Sequence, residues 1–337
     1  LGLMLTVLLA AAVASSVFWP DPLQDTIAQW QQFLASPAAN AAPFSDIKTP
    51  ASERIAHADD ALKHDRRLLA LYELTGALPL LKAAEFAAAH RKDDLQQAWN
   101  RAQIAKANVP AFASIEPALA RAIAEANATQ AREYYDASLA YGNNTAPEAG
   151  IYYIGAANGC AFVADYVRHV ALGREGSVPH LRSLAPDLDA LEGEILAAYK
   201  PPASIDQHAK FIGASALLKE ARELDAAGMR DAALLRYLES WLRIAPVIAP
   251  AIARADIERT LAREKARVEA AGGDESIAAL FLESAAADLE RSAEAPIASA
   301  IVTRVLPRYF AALAPALPQA KAVTPSATVT LVRWPYT

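Results

Sequence analysis

Apolar positions recur every three or four residues along most of this chain, and the recurrence stops at prolines and glycines, so the pattern predicts helix after helix. A first, short amphipathic helix is predicted over Pro22–Ala35, with Ile27, Trp30, Phe33 and Leu34 along one side. Ser36–Thr49 is rich in Pro, Ala and Asn and reads as a linker. The helical body is expected to open at Thr49-Pro50, an N-cap followed by proline, with a long helix to Thr75 that Gly76 ends. Further helices are predicted near Leu78–Arg91 and Lys92–Asn108, then from Pro110, interrupted at Pro117, to Tyr141-Gly142. Thr145-Ala146-Pro147-Glu148 has the capping-box pattern and opens Thr145–Leu172, which is apolar nearly all round. A helix without a polar face belongs in the interior, and Gly155 and Gly159 offer a patch for close contact with a neighbour. At its end, Asp165, Arg168 and His169 read as a paired polar network.

Downstream, Leu181–Lys200 is interrupted at Pro186, and Pro201-Pro202 is the strongest internal break. Val247–Ala271 reads as a charged helix ended by Gly272-Gly273. Two more helices are expected over Asp274–Arg291 and Ala295–Leu313, the second kinked or ended by Pro307. The predicted organisation is an N-terminal segment 1–19, a short helix and linker 20–50, helical halves 51–200 and 201–318, and an extended tail 319–337.

Two stretches depart from the helical pattern. Leu1–Trp19 carries no charge and is close to the length that spans a bilayer. Leu3, Leu5, Leu8, Leu9, Phe18 and Trp19 would form a retained membrane anchor, with the rest outside the cytoplasm, in a periplasm or on a cell surface. A cleavable signal peptide competes with that reading, since Ala12-Val13-Ala14 looks like a cleavage site. At the other end, Ala327–Trp334 has strand composition and partial alternation. Val329, Leu331, Trp334 and Tyr336 are the residues expected to contact another subunit by adding a strand to its sheet edge; the competing reading is an extended tail lying on the chain's own helices.

Ser215–Pro246 is a helical hairpin turned at Gly228, with Leu217, Ala221 and Leu224 facing Ala233, Tyr237 and Ser240. Its small residues, turn glycine and closing proline resemble a tetratricopeptide repeat, a unit of about 34 residues. Glu220 stands where that family has leucine, Arg230 where it has an aromatic, and Pro246 comes one residue late. The resemblance implies a right-handed α-solenoid of stacked helix pairs.

Composition agrees with an all-α chain. Of 337 residues, 54% are hydrophobic but only 7% aromatic, so alanine, the strongest helix former, carries the core. The net charge of −6 and the absence of a basic cluster argue against nucleic acid as a partner. A single cysteine, Cys160, excludes an intrachain disulfide and a thiolate cluster.

Motifs for chemistry are scarce. His57, Asp60 and His64 share a helix face at spacings that admit a metal, yet the same run suits a solvated face. No cofactor is expected: HExxH, CxxC and CxxCH are missing, as are the GxSxG elbow and phosphate-binding glycine loops. The acidic run Asp187, Asp189, Glu192 and Glu194 reads as solvated helix. The expected function is therefore non-catalytic: a membrane-anchored helical-repeat scaffold or accessory subunit of a cell-envelope assembly, with other protein subunits as partners. Two alternatives stand beside it. One is a filament subunit using its apolar N-terminal helix and C-terminal strand for contacts; the other is an envelope enzyme or ligand-binding protein.

Overall fold

The structure, a computed structural model, describes residues 21–313 apart from 91–93, 108–111, 113, 144–145, 173–180, 203, 249–251 and 272. Among these residues all regular structure is helical, as alanine content and periodicity require. The amphipathic helix α1, Pro22–Ala35, is capped by the Asp21 side chain on the Leu23 N–H and buries Leu23, Ile27, Trp30 and Leu34. Then come α2 (Phe44–Lys63), α3 (Arg67–Ala89), α4 (Leu95–Ala107), α5 (Ala118–Gly142) and α6 (Pro147–Tyr166). After them lie α7 (Ala185–Ala198), α8 (His208–Ala226), α9 (Arg230–Ile248), α10 (Arg254–Ala270) and α11 (Ser276–Arg291). Finally α12 (Pro296–Ala300) passes through a π-helical turn, Ile301–Val305, into α13 (Leu306–Leu313). Pro307 explains that turn: a proline ring clashes with the carbonyl four residues back, and a wider turn relieves the clash.

Several expected boundaries move. The linker shrinks to a 3₁₀ turn over Pro37–Asn40, because α2 begins at Phe44 and carries Pro50 inside. The predicted helix to Thr75 divides at residues 64–66, and α3 then runs through Gly76 and Pro79. The break is a Schellman closure: Asp65 adopts φ 58°, its N–H reaches the Leu62 carbonyl at 3.1 Å, and the Arg66 N–H reaches Ala61 at 2.9 Å. The α8–α9 turn repeats this geometry with Gly228 at φ 80°. Pro246 lies within α9 instead of ending it, and α7 starts at Ala185, with Pro186 in its first turn.

Helix α6 is the pivot of the N-terminal part and packs on both α5 and α3. A Cβ on Gly155 would stand 2.9 Å from the Ala83 carbonyl oxygen, and one on Gly159 would stand 2.9 Å from the Pro79 Cα. These glycines therefore set the backbone-to-backbone approach. It is also why α3 keeps its helix through Gly76 and Pro79: tertiary packing outweighs local breakers. Contrary to expectation, α6 is not enclosed all round, because Phe162 is exposed and Tyr152 and Tyr153 are half-buried.

The main core runs from Leu23 to Ala312 and crosses the Pro201-Pro202 break without interruption. A smaller cluster joins Leu95 and Trp99 of α4 to Tyr135, Ile151 and Ile154. In the α8–α9 hairpin Ala221, Leu224, Ala233, Tyr237 and Ser240 are buried as expected, with Leu218 deeper than Leu217.

The expected membrane-anchored, extracytoplasmic location is corrected by the structure. No helix among the described residues is long and apolar enough to cross a membrane. Even the apolar α6, 20 residues long, is spent on burial against α3 and α5. Leu3, Leu5, Leu8, Leu9, Phe18 and Trp19 lie outside the described residues, as do Val329, Leu331, Trp334 and Tyr336 of the expected tail.

Candidate functional site

Helices α3 and α5 each pack extensively on α6 but touch one another little, and a cleft of about 250 Å³ stays open between them. Its walls carry Tyr72 and Thr75 from α3, Asn127, Gln130 and Tyr134 from α5, and Arg236 from α9, with Arg54 of α2 reaching in. Asn127, Gln130 and Tyr134 lie at i, i+3 and i+7, one stripe of a helix. Such a stripe would be apolar if it were packed.

Behind the cleft lies a buried ion network. The Arg236 Nε donates to Glu220 Oε1 at 2.9 Å and its Nη1 to Glu239 Oε2 at 2.7 Å. The Tyr72 hydroxyl donates to the other Glu239 oxygen. Burial opposes the Arg236 charge, but Glu239 and Glu220 outweigh it and raise its pKa. Burial raises the Glu220 carboxyl, partly offset by Arg236, and lifts the Tyr72 phenol well above its ordinary range, helped by the Glu239 charge. The inward Glu220 carboxylate needs a cation, which α9 supplies as Arg236.

At the mouth, Arg54 Nη1 meets Glu73 Oε2 at 3.3 Å, and burial raises the Glu73 carboxyl. Cys160 of α6 is buried, its Sγ 3.9 Å from Gln130 Oε1, and burial pushes its thiol up to about 12. At neutral pH it therefore stays a thiol, which is a poor nucleophile.

A second polar cluster ties helix ends together. Glu125 accepts the Ala232 N–H at the start of α9 (3.2 Å), and Arg121 Nε donates to Asp231 Oδ2 at 2.6 Å. Burial raises the Glu125 carboxyl to about 7.

On the surface, α5 and α6 present tyrosines. The Tyr141 and Tyr153 rings stack at 5.1 Å and 15°, Tyr134 lies 6.1 Å from Tyr153, and Tyr152 meets Tyr153 edge-on at 6.3 Å. Tyr141 is 47% exposed. A groove of about 480 Å³ continues past Tyr152 toward Ala87, His90 and Glu148. Burial raises the Tyr134 and Tyr152 phenols, with lesser contributions from Glu133 on Tyr134 and Asp46 on Tyr152, and Glu148 lines the groove.

The residues singled out by sequence for metal binding remain a helix face. His64 Nδ1 lies 2.8 Å from the Asp60 carbonyl and 3.5 Å from its carboxylate, both side chains half-exposed, and His57 points to solvent. Among the described residues no group of three or more His, Cys, Asp or Glu gathers as metal ligands. Asp165 and His169 form a solvated pair at 3.9 Å. Asp189 and Glu192 both pair with Arg222 at 2.7 Å. Sequence reasoning missed the cleft, whose polar residues come from helices far apart in the chain; the polar stripe on α5 was the signal available.

No protein-family model, no curated protein and no solved structure matches the chain.

Proposed function

We propose that this protein is a non-catalytic helical scaffold or accessory subunit that works by contact with other proteins. Its α8–α9 hairpin is read as one tetratricopeptide-like unit of a stacked, solenoid-like array. One observation carries the reading: the stacked, solvent-facing Tyr141–Tyr153 pair beside a groove. Tyrosine gives large contact area at low entropic cost and is enriched where interfaces concentrate their energy. Glu148 in the groove, with Glu133 near Tyr134 and Asp46 near Tyr152, favours an extended partner segment bearing lysine or arginine.

Supporting this, Arg236 is paired with both Glu220 and Glu239 behind the cleft. Glu220, Arg236, Glu239 and Tyr72 bond among themselves, an arrangement suited to stiffening a platform.

The test is site-specific photo-crosslinking in the native host with the probe at position 141 or 153. A discrete adduct whose partner contributes a basic, extended segment is expected, and a probe at exposed Asp189 should not give it. Substituting Tyr153→Ser in the 141-probe protein should weaken capture about tenfold or more. Identical adducts from 141, 153 and 189 would reject the proposal.

A further inference from the structure

The cleft between α3 and α5 contains a notch that packing alone does not explain. Gly76 sits in the interior of α3, where glycine costs about 1 kcal/mol relative to alanine. A Cβ there would stand 2.3 Å from Arg54 Nη1, so the glycine is what admits the guanidinium to the cleft. Arg54 is weakly held once inside, its one ion pair among the described residues reaching Glu73 at 3.3 Å. That partner is itself a carboxyl that burial makes harder to ionise.

Opposite Arg54 stands the polar stripe of α5. Asn127 is only 8% exposed; its amide nitrogen donates to the Ile123 carbonyl at 2.9 Å, leaving its side-chain oxygen as the acceptor it can offer. Gln130 and Tyr134 follow along the stripe, with 3.4 Å between Gln130 Nε2 and the Tyr134 hydroxyl, at the long limit of a hydrogen bond. The volume of about 250 Å³ equals about eight water molecules at roughly 30 Å³ each.

The sign of charge follows from what lines the space. The charged side chains on the walls are Arg54 and Arg236, while Glu220 and Glu239 are bonded to Arg236 behind. A guanidinium is the natural partner of a carboxylate. A phosphate dianion would bring a second negative charge toward Glu220 and Glu239. We propose that this cleft binds a small monocarboxylate of about eight non-hydrogen atoms. The ligand's carboxylate sits on Arg54, and its polar remainder meets Asn127, Gln130 and Tyr134. This site is separate from the tyrosine face except that Tyr134 borders both.

The probes are acetate, L-lactate and N-acetylglycine, titrated into the full chain by calorimetry and thermal shift. The uncharged N-acetylglycinamide and inorganic phosphate serve as comparisons. N-acetylglycine is expected to raise Tm saturably, and the amide to leave it unchanged. Arg54→Gln should weaken Kd about tenfold or more, the loss of a charge-assisted hydrogen bond. Gly76→Leu, which fills the notch, should abolish binding, while Asp189→Asn should bind as the wild type does. If Gly76→Leu does not fold, Arg54→Gln still decides, because its side chain is 42% exposed and its loss spares the core. The proposal is overturned if none of the three carboxylates binds saturably. It also fails if Arg54→Gln binds them as well as the wild type, or if phosphate binds as tightly with the same dependence on Arg54.

Discussion

Asp274 accepts the backbone N–H of Ala118, although 156 residues separate them in the chain. Its other carboxylate oxygen takes the Ser276 N–H at 3.1 Å, and the Ser276 hydroxyl accepts the Leu119 N–H at 2.9 Å. The first turn of α5 is therefore capped from the start of α11, since Pro117 offers no capping side chain. Other helices share the device: Glu283 accepts the Leu69 N–H of α3 at 2.8 Å, and Asp288 accepts the Ala298 N–H of α12 at 2.9 Å. Orphan amide groups at a buried helix start must find partners, and carboxylates add favourable charge against the helix dipole.

Asp274→Ala should lower stability by about 1–3 kcal/mol, since it orphans buried N–H groups. Denaturant unfolding at neutral pH measures it. The conservative Asp274→Asn should recover part of the loss. An Asp274→Ala protein as stable as the wild type would show that this carboxylate does not cap α5.

Glu125 gives a pH dependence with a definite sign. Burial raises its folded pKa from 4.5 to about 7, so the native state holds its proton where the unfolded chain has released it. Its contribution to stability is full below about pH 4.5 and is lost as pH rises through about 7. Glu125→Gln should remove that loss, leaving the variant more stable than the wild type at pH 8 by on the order of 2 kcal/mol, with little difference at pH 4.5. Thermal melts of both proteins across this window provide the check.

The glycine contacts of α6 make a packing prediction. Gly159→Ala places a methyl 2.9 Å from the Pro79 Cα, a backbone atom that cannot rotate away. Overpacking of this kind costs about 1–3 kcal/mol. Gly193→Ala, on α7 with nothing within 4 Å, should be neutral or slightly stabilising. Parallel urea titrations of the two variants compare them directly.

Asp65 holds a left-handed backbone conformation that glycine adopts more readily. Asp65→Gly should leave stability unchanged or raise it by up to about 1 kcal/mol, whereas Gly228→Ala, at the equivalent place after α8, should lower it by about 1 kcal/mol. Melting temperatures of the two variants would reveal whether the Schellman closures are conformationally equivalent.

The contrast between those two turns shows how far the sequence was legible. Gly228 announced its turn because glycine is the usual residue there. Asp65 did not, and Gly76, eleven residues on, drew the break to itself. Glycine has two uses that look alike in a sequence: it permits positive φ at a turn, or it makes room for another group inside a helix. At position 76 the second use holds, and only the place of Arg54 reveals it.

What the chain determined by itself was local: an all-α fold, the faces of α1 and of the α8–α9 hairpin, and a close-contact role for Gly155 and Gly159. These follow from propensity, periodicity and side-chain size, which act over a few residues. Tertiary structure decided the cleft, the partners of Glu220 and Arg236, and the caps supplied to α3 and α5 from α11 and its approach. Those depend on which helices meet, and a buried charge or N–H is satisfied by whatever packing brings near, at any distance along the chain.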